Sequence, residues 1–487
     1  MTMRRVTCIV ALGLGGCAPM APRLAFDGGG YSVQTCDAAY AGRAAQCTLK
    51  GQGAKLLLRG NLISGGQLYV GGALLVGADG RVEAAGCAVP EADTTQLDCP
   101  GALVSPGFIN LHEHIDYSYQ QPPRPPLLKW AHRNDWRRMT AAERGFEGDA
   151  PADAGVRAEV SERAMLRHAL SGSTAISGAK DYRAFLRNLK LPEAPLAVPF
   201  GKPLQDNTFP VNDAASMQAL GAACSLEQIT AVRVARDSPF IPHVGEGISA
   251  GARHEVDCVL DAIITKPTPS AFIHGVAIGP EQIKRMKSLD VAVVLSPRSN
   301  LQLYGTTAPI AELRNAGITL ALGTDWSPSG SLTMLDEARC LARFNHDKLS
   351  DAIGGAELHR MMTSGAARAV GLQGQVGALA PGEVADIVLI DTEGRSTLAD
   401  ILQASALKQT LAVFIGGRAA SLPTAWAGKL PQLDNCAADP RDLCGGRRTV
   451  CGINPQRPLD RLLQQAVYTI DDTKTCTPQP TDDCVAR

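Results

Sequence analysis

The stretch Ser105–Pro106–Gly107–Phe108–Ile109–Asn110–Leu111–His112–Glu113–His114 decides how this chain is read. An apolar strand opens at a Pro-Gly pair and closes on two histidines. Side chains alternate along a strand, so His112 and His114 share one face. Two imidazoles at that spacing can hold one metal ion. Working outward, other apolar runs end in the same chemistry. Pro239–Phe240–Ile241–Pro242–His243 is followed by Glu246, Ala271–Phe272–Ile273 by His274, and Leu320–Ala321–Leu322–Gly323–Thr324 by Asp325. Each piece alone is weak, since a lone strand-end histidine is commonly a satisfied polar residue, and Gly323–Thr324–Asp325 also reads as a helix N-cap. The chain has only 9 histidines, however, and four of them close apolar strands in order. That joint placement at strand ends points to a metal site.

The surrounding middle of the chain alternates short apolar runs with amphipathic stretches. Candidate strands cover 103–110, 173–178, 196–200, 239–244, 270–275, 291–295 and 319–324. Candidate helices cover 155–170, 180–190, 252–264, 280–288, 308–316, 333–343 and 356–370. Strand–helix alternation implies parallel strands with crossover helices, hence an α/β fold, a TIM-like (β/α)8 barrel over 105–375. Seven strands are legible where eight are needed, and the missing one is expected within 201–238. On both flanks, 54–104 and 376–425, short apolar runs are broken by Gly and Asp-Gly turns, as in hairpins. These flanks are expected to build one small β-sandwich together. Residues 18–53 read as a Gly- and Ala-rich tether, and 426–487 as an irregular, Cys-rich tail.

Composition narrows the function classes. The 487 residues are 45% hydrophobic and 20% charged, with a formal charge of -1, the balance of a folded protein. There is no basic excess to collect phosphates, so nucleic acid is not an expected partner. At the N-terminus, Arg4 and Arg5 precede a short apolar run over 6–14 and then Gly15–Gly16–Cys17. This reads as an export signal over 1–17, and it resembles a bacterial lipobox. That resemblance implies acylation at Cys17, a membrane partner through the lipid, and a location in the periplasm or outer membrane. An ordinary signal peptide cut near Ala18 or Ala21 is the blander reading. Of 14 cysteines, Cys8 and Cys17 fall in the leader, leaving an even number. Exported proteins keep disulfides, and no C-x-x-C pair suggests a cysteine metal site. Proximity suggests Cys36 with Cys47, Cys87 with Cys99, Cys436 with Cys444, and Cys476 with Cys484. Cys224, Cys258, Cys340 and Cys451 have no obvious partner.

The strand-end words quoted above, with Ser296–Pro297–Arg298–Ser299–Asn300–Leu301 and Gly382–Glu383–Val384–Ala385–Asp386, resemble the amidohydrolase superfamily, in particular its deaminase and chlorohydrolase branch. The resemblance covers about 54–420 and does not extend to the tether or the tail. It implies that His112, His114, His243 and Asp325 ligate one divalent ion, zinc first, with iron or manganese as alternatives. It also implies Asp325 as general base, Glu246 as proton shuttle and His274 as hydrogen-bond partner of the attacking oxygen or the oxyanion. The physics agrees: three neutral imidazoles and a carboxylate leave a position for water, whose pKa a bound metal lowers toward ~7. Ser296 and Asn300 are expected to orient the site wall; a strand end followed by a helix cap explains them equally well. Binuclear branches use a carboxylated lysine, for which Lys180 and Lys202 are the candidates; Glu246 three residues after His243 favours one ion.

The loop over 115–138 should line the substrate entrance. Tyr117, Tyr119, Trp130, His132 and Trp136 are candidates to stack on a planar ring, although a long packed insertion is an equal reading. Arg298 is a candidate for a substrate carboxylate or a structural acid. The resulting expectation is a metal-dependent hydrolase using metal-activated water on a non-peptide C–N bond of a small, cyclic substrate. Dehalogenation, ester cleavage or cyclic amide hydrolysis on the same site is the first alternative, and a non-catalytic ligand-binding surface lipoprotein the second. A second copy of the chain is admitted as a partner. No cytidine-type zinc motif is present, since the chain has no C-x-x-C.

Overall fold

A computed structural model describes residues 26–120, 129–137, 150–182, 184–191, 203–205, 238–263 and 269–464, with positions 139, 143, 209, 476, 477 and 484. The leader with Cys17, Lys202, Cys224 and the 196–200 strand candidate lie outside the described residues. Among those described, no helix is long and apolar enough to cross a membrane.

Two parallel sheets carry the site. One contains Phe108–Asn110, Ser173–Ile176 and Arg187–Asn188; the other contains His243–Val244, Ser270–His274, Val291–Leu295 and Leu320–Leu322. Backbone bonds join them at both ends. Leu204 N donates to Leu189 O at 3.0 Å, and Gln205 bridges in parallel to Phe240. On the other side Leu111 N donates to Leu322 O at 3.4 Å and Asp325 N to His112 O at 2.9 Å. Ile109, Ala175, Leu204, Ile273, Val294 and Ala321 meet in one buried apolar cluster between these strands. Helices Ala154–Leu170, Ala250–Ile263, Pro280–Ser288 and Ile310–Asn315 lie in crossovers between successive strands, and Met334–Leu349 follows the last strand.

Three element assignments differ from the sequence pattern. The candidate helix at 180–190 instead holds the short strand Arg187–Asn188. Its partner sheet decides this, because Ala175 pairs with Arg187, and tertiary pairing overrides local periodicity. The candidate strand 103–110 is cut at Gly107: Thr94–Pro106 belongs to the flanking sheet, and Phe108–Asn110 to the parallel one. The single candidate helix 356–370 is likewise two, Gly355–Met362 and Ser364–Ala369.

Strands of the two flanks share one continuous mixed sheet of eleven strands. Thr94–Pro106 lies between Lys55–Ser64 and Ile387–Asp391, which pairs onward to Thr410–Ile415. Residues 26–53 are not a loose tether. Ser32–Thr35 pairs with Gln67–Val76, and Thr48–Lys50 with Thr94–Pro106. The tail is also built in: Gly446–Val450 extends the same sheet through Arg418–Pro423. Leu433, Val450, Ile453 and Leu462 share a buried cluster with Ile115 and Met165.

The cysteines do not pair with their sequence neighbours. Disulfides join Cys36 to Cys87, Cys47 to Cys99, Cys340 to Cys484, Cys436 to Cys451 and Cys444 to Cys476; Cys258 is also disulfide-bonded. Sheet register is the reason in one clear case. Thr48 lies opposite Asp98, which brings the adjacent Cys47 and Cys99 face to face. Cys340–Cys484 fastens the end of the tail to the Met334–Leu349 helix, and Cys444–Cys476 fastens it to the hairpin that follows Arg441–Leu443.

His359 ties three parts together. Its Nδ1 meets Tyr31 Oη at 2.9 Å, and its Nε2 meets Ser105 Oγ at 2.7 Å. Burial pushes this imidazole down to about 3. The unfolded chain protonates His359 below its ordinary pKa of about 6.5, whereas the folded chain stays neutral down to the depressed value. Stability is therefore expected to fall as pH drops through that window, by up to about 1.4 kcal/mol per pH unit for this one group. Urea unfolding midpoints between pH 7 and 4 should show a shallower decline in His359→Gln than in the wild type.

Candidate metal centre

The metal candidates converge as the strand-end pattern anticipates. His112 Nε2 lies 3.3 Å from His114 Nε2 and 3.1 Å from His243 Nε2, and the last two are 3.2 Å apart. Asp325 Oδ1 stands 3.3 Å from His112 Nε2 and 3.6 Å from His114 Nε2. His274 Nε2 is 3.7 Å from Glu246 Oε1 and 4.0 Å from Asp325 Oδ2. Close approach of the first and last strands makes this possible. A Cβ on Gly323 would lie 2.3 Å from the Cβ of His112, so no side chain fits there. His274 and Asp325 both have positive φ, 69° and 59°. Such a backbone is costly for residues with side chains and turns strand ends toward a functional site.

The donor set fits a divalent ion. Tetrahedral zinc–nitrogen bonds of about 2.0–2.1 Å separate neighbouring donors by roughly 3.3 Å, the spacing seen among the three Nε2 atoms. Burial pushes His112 and His243 well below the ordinary imidazole range, and neighbouring imidazoles add to the effect. They are thus neutral, as ligation requires. Burial pushes Asp325 well above the usual carboxylate range, against the hydrogen bond from Ser299. Among the described residues its ion-pair partners are histidines, so a cation between these groups would supply the charge that burial removes from water.

One helix face supports four of the functional side chains. Ser296 caps Pro297–Tyr304, and its Oγ meets His112 Nδ1 at 2.9 Å while donating to Gly323 O at 2.8 Å. Ser299 Oγ donates to Asp325 Oδ2 at 2.5 Å. Asn300 Oδ1 meets His274 Nδ1 at 2.8 Å. Tyr304 Oη donates to Glu246 Oε1 at 2.6 Å and accepts from Trp136 Nε1 at 3.0 Å. Ser299 and Tyr304 were not singled out from the sequence. The signal was available, because positions 296, 299, 300 and 304 recur at the spacing of one helical face. Glu246 Oε2 is buried with no hydrogen-bond partner among the described residues.

These groups open into a cavity of about 620 Å³. Tyr117 and Trp136 line it, joined by Trp326 and Phe209, which the sequence reading passed over. Three other candidates are placed elsewhere. Trp130 packs in an apolar cluster with Leu303 and Trp326. His132 is fully buried behind the Glu246 loop, bridging to Gly247. Arg298 is held by Ser331 Oγ at 2.7 Å and by the Asp336 carbonyl at 3.3 Å, and its own N–H donates to Glu337 at 3.1 Å. It therefore serves the structural acid of its two readings and does not line the cavity. Tyr119 is not among the described lining residues either. Lys180 lines the cavity and pairs with Asp116 at 2.5 Å.

Comparisons with known proteins accord with this geometry. The amidohydrolase family profile matches residues 207–420. A 5-methylthioadenosine/S-adenosylhomocysteine deaminase of Haloquadratum walsbyi is 28% identical over 346 residues, 61% of this chain and 73% of that protein. The enzyme of the same name from Thermococcus onnurineus is 26% identical, covering 69% of this chain and 85% of its own. A further one, from Pelotomaculum thermopropionicum, is 36% identical over a shorter stretch, 27% of this chain and 31% of that protein. Among solved structures, a zinc-bound adenosine deaminase from Xanthomonas campestris superposes with a TM-score of 0.51 at 19% identity, over 75% of this chain and 92% of its own. A zinc-bound atrazine chlorohydrolase from Arthrobacter aurescens TC1 gives 0.54 at 19% identity, over 75% and 95%. These matches support the amidohydrolase superfamily. The protein is accordingly an enzyme, a hydrolase of carbon–nitrogen bonds other than peptide bonds.

Removing one converging imidazole should destroy the donor set while leaving the core. His243→Ala is expected to retain a native near-ultraviolet circular dichroism spectrum but to hold zinc at background level after gel filtration, by plasma emission analysis.

Proposed function

We propose that this protein is a metal-dependent deaminase-like hydrolase of a planar, amino-bearing heterocycle, working at the mouth of a (β/α)8 barrel. The observation that carries this reading is the convergence of three imidazole nitrogens and Asp325 beside a buried, unpartnered Glu246 oxygen. The two-sided joining of the parallel sheets supports the barrel. The deaminase names of the relatives and the aromatic wall of Tyr117, Trp136 and Trp326 support the substrate class.

His112, His114, His243 and Asp325 would hold one divalent ion, zinc being the first choice. When bound, such an ion lowers the pKa of water and polarises the carbon–nitrogen centre. Asp325 accepts the proton of the attacking water at a carboxylate oxygen, and Ser299 holds that carboxylate in place. Glu246 Oε1 lies 3.7 Å from His274 Nε2. Glu246 Oε2 is positioned to give a proton to a ring nitrogen; Asp325 then passes the water-derived proton to the leaving amine, and Glu246 regains a proton from the attacking oxygen's hydroxyl as the carbonyl forms, while Tyr304 fixes Oε1. His274, whose Nδ1–H donates to Asn300 Oδ1, presents its Nε2 toward Glu246 and Asp325, where it would accept a hydrogen bond from the hydroxyl of the attacking oxygen. The aromatic wall stacks on the ring and shuts water from it.

Glu246→Gln should keep metal content at wild-type level and lower turnover by at least about 100-fold. The check is ammonia release over a panel of aminated purines, pyrimidines and triazines. Chloride release without ammonia from a chlorinated analogue would refute the deaminase assignment, and unimpaired Glu246→Gln turnover would refute the proton role.

The same proposal places the protein outside the cytosol, in the periplasm or outer membrane, lipid-anchored at Cys17. The disulfide set supports an oxidising compartment. Cys17→Ser is expected to shift the protein from the membrane pellet to the soluble fraction; an unchanged distribution counts against the anchor.

A further inference from the structure

We propose, on the reading that His112, His114, His243 and Asp325 hold a metal ion, that Glu113 and His168 form a buried positioning pair fixing the two strand ends that carry three of those ligands. Strand alternation turns the Glu113 side chain away from the faces of His112 and His114. Its carboxylate is 2% exposed and His168 is 0% exposed. His168 Nε2 stands 3.1 Å from Glu113 Oε2, an ion-pair distance without hydrogen-bond alignment. The same Oε2 accepts from the hydroxyl of Thr324, the residue before Asp325.

Thr324 continues the brace into the first strand. Its Oγ1 accepts from Asn110 Nδ2 at 2.6 Å, and its backbone N–H donates to Asn110 Oδ1 at 3.2 Å. Asn110 Oδ1 also accepts from the backbone N–H of His112 at 3.2 Å. Asn110, Thr324 and Glu113 therefore cross-link the segment bearing His112 and His114 to the segment bearing Asp325. Asp325 Oδ1 stands only 3.3 Å from His112 Nε2 and 3.6 Å from His114 Nε2, so the site tolerates little slippage between these segments.

A carboxylate this deep needs a partner, because an unpaired buried charge is strongly unfavourable. His168 supplies it from the Ala154–Leu170 helix, and that helix is itself fastened to the tail. Glu159 pairs with Arg461 at 2.6 Å, and Glu162 accepts from Asn454 at 3.1 Å. From another side, Gly178 presses on Glu113. A Cβ there would stand 1.7 Å from the Glu113 carbonyl oxygen, and φ is +94°. The pair thus sits where the first strand, the second strand, the last strand and the helix meet. Both side chains are buried, and the pair acts through the ligands, as outer partners of metal ligands do.

The test is zinc affinity of the full-length, disulfide-intact protein, stripped by chelator and titrated with zinc against a chromophoric competitor. His168→Ala and Glu113→Ala are expected to weaken zinc binding by about 10- to 100-fold, and His168→Gln, which keeps an N–H donor, to recover most of it. A purely structural pair would lower the unfolding midpoint while the folded fraction bound zinc as the wild type does, and that result overturns the proposal. Should the alanine variants not fold, Thr324→Val removes only the hydroxyl of the brace. About 10-fold weaker zinc binding is expected there, and unchanged affinity overturns the proposal. Wild-type protein that binds no zinc overturns instead the reading of the site on which this pair depends.

Discussion

Everything in this structure answers to the crowding of three imidazole nitrogens within 3.3 Å of one another in a buried pocket. Neutral nitrogens with lone pairs turned together gain nothing from such proximity, and burial prevents protonation from relieving it by pairing with Asp325. The arrangement has physical sense when the lone pairs share one cation. Two parallel sheets, a positive-φ residue at two strand ends and a glycine where the first and last strands touch are the means by which the backbone maintains it.

The helix Pro297–Tyr304 converts that crowding into a directed site. From one face it contacts His112, Asp325, His274 and Glu246, which come from four different strand ends. A rigid element that bonds to four of the functional groups sets their relative orientation with few independent degrees of freedom. The segment Arg133–Arg137 adds a second support from behind. Arg133 donates to both oxygens of the fully buried Glu255, and one of them also accepts from Gly245 N at 2.9 Å, so the His243–Glu246 loop is held at its base.

The accessory parts are less separate than their composition suggests. Residues 26–53 and the Cys-rich tail both enter the flanking sheet, and the tail closes the apolar cluster that includes Ile115, next to His114. Disulfides fasten these additions to the fold. Their partners lie up to 144 residues apart, so cysteine spacing had no bearing on which sulfurs meet. A similar limit applies to the loop after the first strand. Its aromatic residues are alike in sequence, yet Trp136 faces the cavity while Trp130 packs into a core cluster and His132 lies behind the Glu246 loop.

The sequence by itself determined the chemistry: which strands end in histidine or carboxylate, that alternation puts His112 and His114 on one face, and that the flanks belong together. These follow from local periodicity and from the few side chains able to bind a metal. Tertiary structure alone decided the rest. The strand Arg187–Asn188 exists because Ser173–Ile176 pairs with it, against a helical local pattern. Arg298 faces Glu337 and Ser331 instead of substrate because helix packing fixes its direction. The brace of Asn110, Thr324 and Glu113 joins residues more than two hundred positions apart. Such contacts depend on which backbone segments are brought side by side, and no periodicity within a segment records its distant neighbour.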